Sequence, residues 1–219
     1  MRAVRHSLFK YYDQLEWAEK FLEGEIFFRS LSYFRDCEDK VRGDEYEGTS
    51  KFQPESGLQI TNHTQGTKFT DTRAFEASVK ADEIFVFCSS RRLSEALAKE
   101  FKSSICVEIR KIKALYNRIK SALPSSATFD AGAVDYYSAG DGPTPRWALP
   151  EMIAKSKLKW WKPQDEYRFV FSLTGALKFE NVECRLVNRS ERPVPKPEEH
   201  RTYLLKVGSL RDICSLRNI

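Results

Sequence analysis

The stretch from Phe9 to Ser32 constrains the fold more than any other, because it spells strand, helix and strand in immediate succession. Phe9–Tyr12 is a short aromatic run that reads as a strand. Asp13 stands where a helix N-cap belongs, with Glu16 three residues on as the reciprocal half of a capping box. Leu15, Ala18, Phe21 and Leu22 fall on one helical face, and Gly24 is the residue type that ends helices. Glu25–Arg29 (EIFFR) then returns as a strand, and Ser30-Leu31-Ser32 turns the chain out of it.

The later apolar runs are short and scattered. Ile84–Phe87 reads as a buried strand closing on Cys88-Ser89-Ser90, and Leu93, Ala96, Leu97 and Phe101 follow helical spacing. Ile105–Ile109 is another strand, followed by a helix marked by Ile112, Leu115, Tyr116 and Ile119 that Pro124 terminates. Val134–Tyr137 and Tyr167–Leu173 (YRFVFSL) are predicted strands, the second the clearest of its half. Val182–Val187 and Thr202–Lys206 are expected to extend the same sheet across a turn from Pro193 to Pro197. Two stretches lack a period. Tyr33–Gly48 is dense in charge and reads as a loop, while 51–71 is polar, with Leu58 and Ile60 as a weak strand in a region expected to be mobile. With no internal repeat and no domain boundary, the pattern predicts one α+β domain over residues 1–219, a mixed, mostly antiparallel sheet with flanking helices.

Composition narrows the class. At 219 residues with 41% hydrophobic and 13% aromatic side chains, the chain can build one core, which excludes disorder for its bulk. No apolar run approaches the roughly 18 residues of a membrane span, and the start MRAVRHSLFKYY lacks a secretory h-region, so a cytoplasmic protein without membrane contact is expected. The five cysteines are widely spaced without a C-x-x-C, which argues against a disulfide framework or a zinc site and for a reducing compartment; no metal is expected. The net charge of +5 is mild for a nucleic-acid binder. Locally, Lys155, Lys157, Lys159 and Lys162 surround Trp160 and Trp161. That pattern suits phosphates with bases stacked on rings, and equally an amphipathic segment whose tryptophans anchor the core while lysines reach outward.

The familiar catalytic signatures are missing: no G-x-G-x-x-G, P-loop, G-x-S-x-G or H-E-x-x-H occurs. His6, His63 and His200 lie outside the best-defined elements and read as surface residues. Two clusters remain. Arg35, Asp36, Glu38, Asp39, Arg42, Asp44, Glu45 and Glu47 either border a site, as carboxylates for a cation or Arg forks for phosphate, or form a loop laced by ion pairs. Trp160, Trp161, Lys162, Gln164, Glu166, Tyr167 and Arg168 put a glutamate at the start of an apolar strand. Glu166 there is either a functional carboxylate in a cleft or the partner of Arg168 or a nearby lysine.

These residues carry a resemblance. LFKYYDQLEWAEKFLEGEIFFRSLSYFRDCED, then IFVFCSS, ICVEI and KWWKPQDEYRFVF resemble, in the same order over roughly residues 8–173, a widespread uncharacterised family of bacterial and phage-associated proteins. Residues 174–219 then read as a C-terminal extension of the same sheet. More distantly, the order of strand, helix, Gly, serine-bearing strand and late strand opening on Glu is similar to that of ADP-ribosyltransferases. That resemblance implies NAD as substrate, Glu166 and Ser30 as catalytic residues, and Lys10, Tyr11, Tyr33, Trp160 and Gln164 as NAD contacts; the two charged clusters add Arg35, Asp36, Asp39, Arg42, Asp44 and Arg168 as further candidates. The chain departs from it in lacking a His-x-Thr or Arg-Gly pair on the first strand and a Ser-Thr-Ser on the second. Three expectations follow: an NAD-consuming enzyme or effector in bacterial conflict or phage defence acting on a macromolecular target; a nucleic-acid-binding or processing domain using the Lys/Trp surface with Arg91, Arg92 and Arg110; or a non-catalytic protein-interaction module using the charged 35–47 segment.

Overall fold

The structure, a computed structural model, describes residues 7–37, 43–142, 144, 148–191 and 200–219. β1 (Leu8–Tyr12), α1 (Leu15–Leu22), β2 (Glu25–Ser30) and α2 (Leu31–Arg35) open the chain. β3 (Thr49–Phe52) and the hairpin of β4 (Leu58–Asn62) and β5 (Thr67–Asp71) precede β6 (Ala74–Ser78) and β7 (Phe85–Ser90). α3 (Glu95–Glu100), β8 (Ile105–Ile109), α4 (Ile112–Ala122), β9 (Thr128–Ala133), β10 (Asp135–Tyr137), α5 (Pro150–Ile153) and β11 (Ser156–Leu158) follow. A 3-10 turn over Lys159–Gln164 leads into β12 (Glu166–Ser172), and β13 (Glu183–Val187), β14 (Thr202–Lys206) and β15 (Cys214–Asn218) complete the order.

Among the described residues an eight-stranded sheet runs β14-β2-β7-β1-β8-β15, with β12 on β7 and β9 on β12. β13-β6-β3 form a smaller sheet, β4 and β5 pair alone, and β10 lies parallel to β11 while the other ladders are antiparallel. The fold is therefore α+β with a mostly antiparallel sheet and flanking helices, as the sequence predicts. No helix among the described residues is long and apolar enough to cross a membrane.

The main sheet forks at β7. β12 runs along one edge of β7, from Glu166 opposite Ser90 to Phe171 opposite Phe85. The other edge is divided: Arg29 and Ser30 of β2 pair with Val86 and Phe85, whereas Phe9 of β1 pairs with Ser90. In the gap between them the Lys10 ammonium donates to the Cys88 carbonyl at 2.9 Å, so a side chain satisfies backbone that a ladder would otherwise pair.

Strand periodicity sorts the two faces of the sheet. On β12, Tyr167, Phe169 and Phe171 project to one face and Glu166, Arg168 and Val170 to the other. The aromatic face packs with Phe28, Phe85 and Phe87 under Phe21 of α1 and Leu115 and Ile119 of α4. Phe28 meets Phe171 edge-on at 4.9 Å, and Phe85 stacks on Phe171 at 5.1 Å. On the opposite face Val86 and Val170 pack against Leu31 of α2, Ala77 of β6 and Ile153 of α5. That second layer covers only part of the face, and the charged residues of β12 lie in the remainder.

Several expectations are corrected. The N-cap of α1 is Gln14 and makes no side-chain cap; Glu16 pairs with Lys20 at 2.6 Å instead of closing a capping box with Asp13. Leu15 is half exposed rather than part of the buried face. Val182–Val187 joins the smaller sheet through β6, not the main one, whereas Thr202–Lys206 does extend the main sheet, beside β2. The loop expected over Tyr33–Gly48 carries the end of α2. The 193–197 turn lies outside the described residues.

Candidate active site

The fork between β1 and β2 opens into a cleft of about 450 Å³, within the roughly 300–1,000 Å³ of small-molecule sites. Its floor belongs to a buried charge quartet drawn from three parts of the chain, with Lys157, Glu166 and Arg168 lining the cleft and Glu47 behind them. Arg168 of β12, 1% exposed, meets both oxygens of Glu47 (Nη1–Oε1 2.5 Å, Nη2–Oε2 2.9 Å) and donates its Nε to Glu166 at 2.9 Å. Lys157 of β11 donates to the other Glu166 oxygen at 2.6 Å and to Gln164 at 3.1 Å, and stands 3.7 Å from Glu47. Two cations thus face two carboxylates in a space from which water is nearly excluded.

Burial raises the pKa of Glu166, but the Arg168 and Lys157 charges outweigh it and hold the carboxyl down to about 2. The same attraction overcomes burial for the two cations and raises both. Beneath them Asp44 is pushed up to about 6, first by burial and then by Glu47. Its side chain accepts the Tyr46 N–H at 3.0 Å.

Glu166 is also fixed through its backbone. Its N–H donates to the Tyr136 hydroxyl at 2.8 Å, and Asp165 just before it holds φ +44, the left-handed region that Asp tolerates better than most residues. The Asp165 carboxylate accepts Arg91 at 2.5 and 2.9 Å, and its carbonyl accepts the Arg91 N–H at 2.7 Å. Tyr11 donates to the Arg92 carbonyl at 2.9 Å and accepts the Ser94 N–H at 2.8 Å. The start of β12, the exit of β7 and the middle of β1 are thereby stitched together around one carboxylate.

Of the residues singled out from sequence, Lys10, Tyr11, Tyr33, Gln164, Glu166 and Arg168 line this one cleft. Ser30 does not: it is fully buried, its hydroxyl shared with Ser32 at 2.8 Å and accepting the Arg201 N–H at 3.1 Å. Trp160 is 64% exposed on the surface and is not a lining residue. Arg35 braces the Glu47 carbonyl with two donors, and Asp36 lies 3.6 Å from His200, away from the cleft. Asp39 and Arg42 lie outside the described residues.

Within the charged 35–47 segment, Asp44 and Glu47 turn inward at 2% and 0% exposure. The Lys/Trp segment is likewise divided between interior and surface. Lys157 is buried in the quartet and Lys155 is paired with Asp130, which leaves Lys159, Trp160 and Lys162 exposed. Among the described residues no three His, Cys, Asp or Glu side chains converge as metal ligands.

Sequence reasoning did not assign Lys157, Arg29 or Ser90 to this cleft. Register brings Ser90 directly beside Glu166 on one side and Phe9 on the other, and both Ser89 and Ser90 line the cleft. The available signal was the serine pair ending the apolar run of β7. The chain matches no protein-family model, no curated protein and no solved structure, so the family resemblance rests on the motifs quoted for it.

Proposed function

We propose that this chain consumes NAD, as an ADP-ribosyltransferase-like enzyme or a glycohydrolase, with Glu166 as its catalytic carboxylate. The observation that carries the reading is Glu166 itself, an ionised group 7% exposed at the floor of an aromatic-walled cleft. When the bond between ribose C1′ and the nicotinamide nitrogen breaks, the electron pair leaves with nicotinamide and positive charge develops on the ribose. A carboxylate already held in place stabilises that charge without reorganising. Both Glu166 oxygens are paired, yet each keeps lone-pair capacity to accept a ribose hydroxyl. Water or an acceptor nucleophile then adds to C1′ and loses a proton, yielding ADP-ribose or an ADP-ribosylated acceptor beside free nicotinamide. Nicotinamide leaves as the neutral base, so no proton is asked of Glu166, in keeping with a carboxyl near 2. Tyr11 and Phe34 are aromatic walls for the leaving ring, and Ser90 stands in the role that the sequence reading gave to Ser30. Such chemistry suits an effector in conflict between bacteria and phage.

The test is nicotinamide release from NAD by the purified protein, with and without bacterial lysate as an acceptor source. Glu166→Gln is run alongside, and its melting curve establishes that it is folded. Turnover by the wild type that falls about a hundredfold or more in the folded variant supports the reading. Full turnover by the folded variant, or none by the wild type under either condition, refutes it. A second reading, nucleic-acid binding, is favoured by the exposed Trp160 ring between exposed Lys159 and Lys162. It requires affinity for RNA or DNA that declines steeply with salt.

A further inference from the structure

β2 alternates strictly across the sheet. Ile26, Phe28 and Ser30 are buried beneath it, while Glu25, Phe27 and Arg29 face the cleft. The Arg29 guanidinium lies 4.1 Å from the centre of the Tyr33 ring and 5.1 Å from that of Phe27. The other cations lining the cleft are engaged: Lys157 and Arg168 by Glu47 and Glu166, Lys20 by Glu16, and Lys10 by the Cys88 carbonyl. Among the described residues Arg29 has no carboxylate in pairing range. Contact with both rings holds the guanidinium at the cleft wall, and its planar fork of donors suits two oxygens of one anion.

The rest of the cleft decides where an anion can go. The quartet is neutral as a whole, its two cations committed to Glu47 and Glu166, so it offers an anion no free positive charge, and negative charge on a ligand is favoured at Arg29. Arg29 sits opposite Val86 and Glu166 opposite Ser90 on the same strand, a separation of about 13 Å along β7 at the usual strand rise. A nucleotide bridges such a span; a lone phosphate does not.

We propose that Arg29, held against the Tyr33 and Phe27 rings, is the phosphate-binding residue of the cleft, and that its ligand class is a nucleoside diphosphate, free or as half of a dinucleotide. The proposal deepens the NAD reading and rests on it for the identity of the sugar end. It is tested by titrating ADP, AMP and adenosine into the whole chain by calorimetry, with Arg29→Ala and Arg29→Lys beside the wild type and melting curves for each. The expected order is ADP over AMP over adenosine. Arg29→Ala lowers ADP affinity at least tenfold, to the level of adenosine, and Arg29→Lys, which keeps the charge without the fork, recovers only part. Adenosine binding is the same in all three. ADP binding no tighter than adenosine, no ADP binding at millimolar concentration, or ADP affinity indifferent to Arg29 would each overturn the assignment. If the alanine variant does not fold, the ADP-to-adenosine ratio of the wild type and the lysine variant decide. Arg29-dependent ADP binding without NAD turnover refutes the catalytic reading alone, whereas turnover without Arg29-dependent ADP binding refutes only the phosphate site.

Discussion

Replacing Glu47 with Gln tests whether the buried quartet holds the cleft floor together. Glu47 is 0% and Arg168 1% exposed, and the carboxylate meets the guanidinium through two bonds while standing 3.7 Å from Lys157. Glutamine removes one negative charge and turns an N–H donor toward two cations, leaving Lys157 and Arg168 to share Glu166. Breaking a buried pair by removing one partner costs about 3–5 kcal/mol, against a total stability of roughly 5–15 kcal/mol for a domain. For a chain of this size that is a fall in Tm of roughly 6–20 °C. Urea denaturation gives the free energy, with an unchanged m-value as the check that the unfolded state is not what moved. Because the pair is shielded from solvent, raising the salt concentration leaves the cost unaltered. Adding Arg168→Met to Glu47→Gln restores part of the loss, with a coupling of about 2 kcal/mol in the double-mutant cycle. A Glu47→Gln cost under about 1 kcal/mol, the range of exposed pairs, together with additive behaviour in the cycle, would refute the buried-quartet account.

Three further outcomes are expected. Asp44 titrates at about 6 in the fold against an ordinary 3.8, so between those values the folded state binds more protons than the unfolded chain and stability falls as pH rises. Asp44→Asn removes that loss and gains about 1–3 kcal/mol at pH 8 but little at pH 4; a variant less stable at pH 8 contradicts it. Gly24 adopts φ +100, and a Cβ there would collide with the Gly208 carbonyl, whereas a Cβ at Gly208, φ +74, meets nothing. Gly208→Ala therefore costs about 1 kcal/mol by urea denaturation and Gly24→Ala at least about 2 kcal/mol more; equal costs would mean that β2 and β14 yield freely at this corner. Burial pushes the thiols of Cys106 and Cys214 up to about 12, while Cys184 is exposed. A thiol reagent at pH 8 should modify Cys184 before those two and reach them only on unfolding, as mass spectrometry of the native protein would register.

Much of the local structure was written in short-range pattern. Ile105–Ile109 and Thr202–Lys206 are strands with the bounds their composition predicts, and Leu115 and Ile119 mark the buried face of α4. β9 and β15 escaped notice because TFDAGA and CSLRN alternate weakly, and an edge or half-exposed strand needs no strong apolar run. The opening strand, helix and strand were legible, as was a glutamate starting a late strand. That Glu166 and Arg168 point one way and Phe169 and Phe171 the other also follows from the period of two, once Tyr167–Leu173 is read as a strand.

The partners of those charges were not legible. Lys157 reads as one of four lysines around two tryptophans, and only the pairing of β11 with β10 turns it under the cleft. Ser30 and Ser90 are equally plausible serines at strand ends; the register of β7 places the second beside Glu166, and β14 buries the first. Glu47 belongs to a charged tract whose members look alike, yet it reaches Arg168 across 121 positions while Asp36 stays away from the cleft. Propensity and periodicity act over a few residues, so the sequence by itself determined the strongly periodic elements and the face each of their side chains takes. Which charges meet depends on strand order and on how far water is excluded where they meet, and the tertiary structure alone decided that.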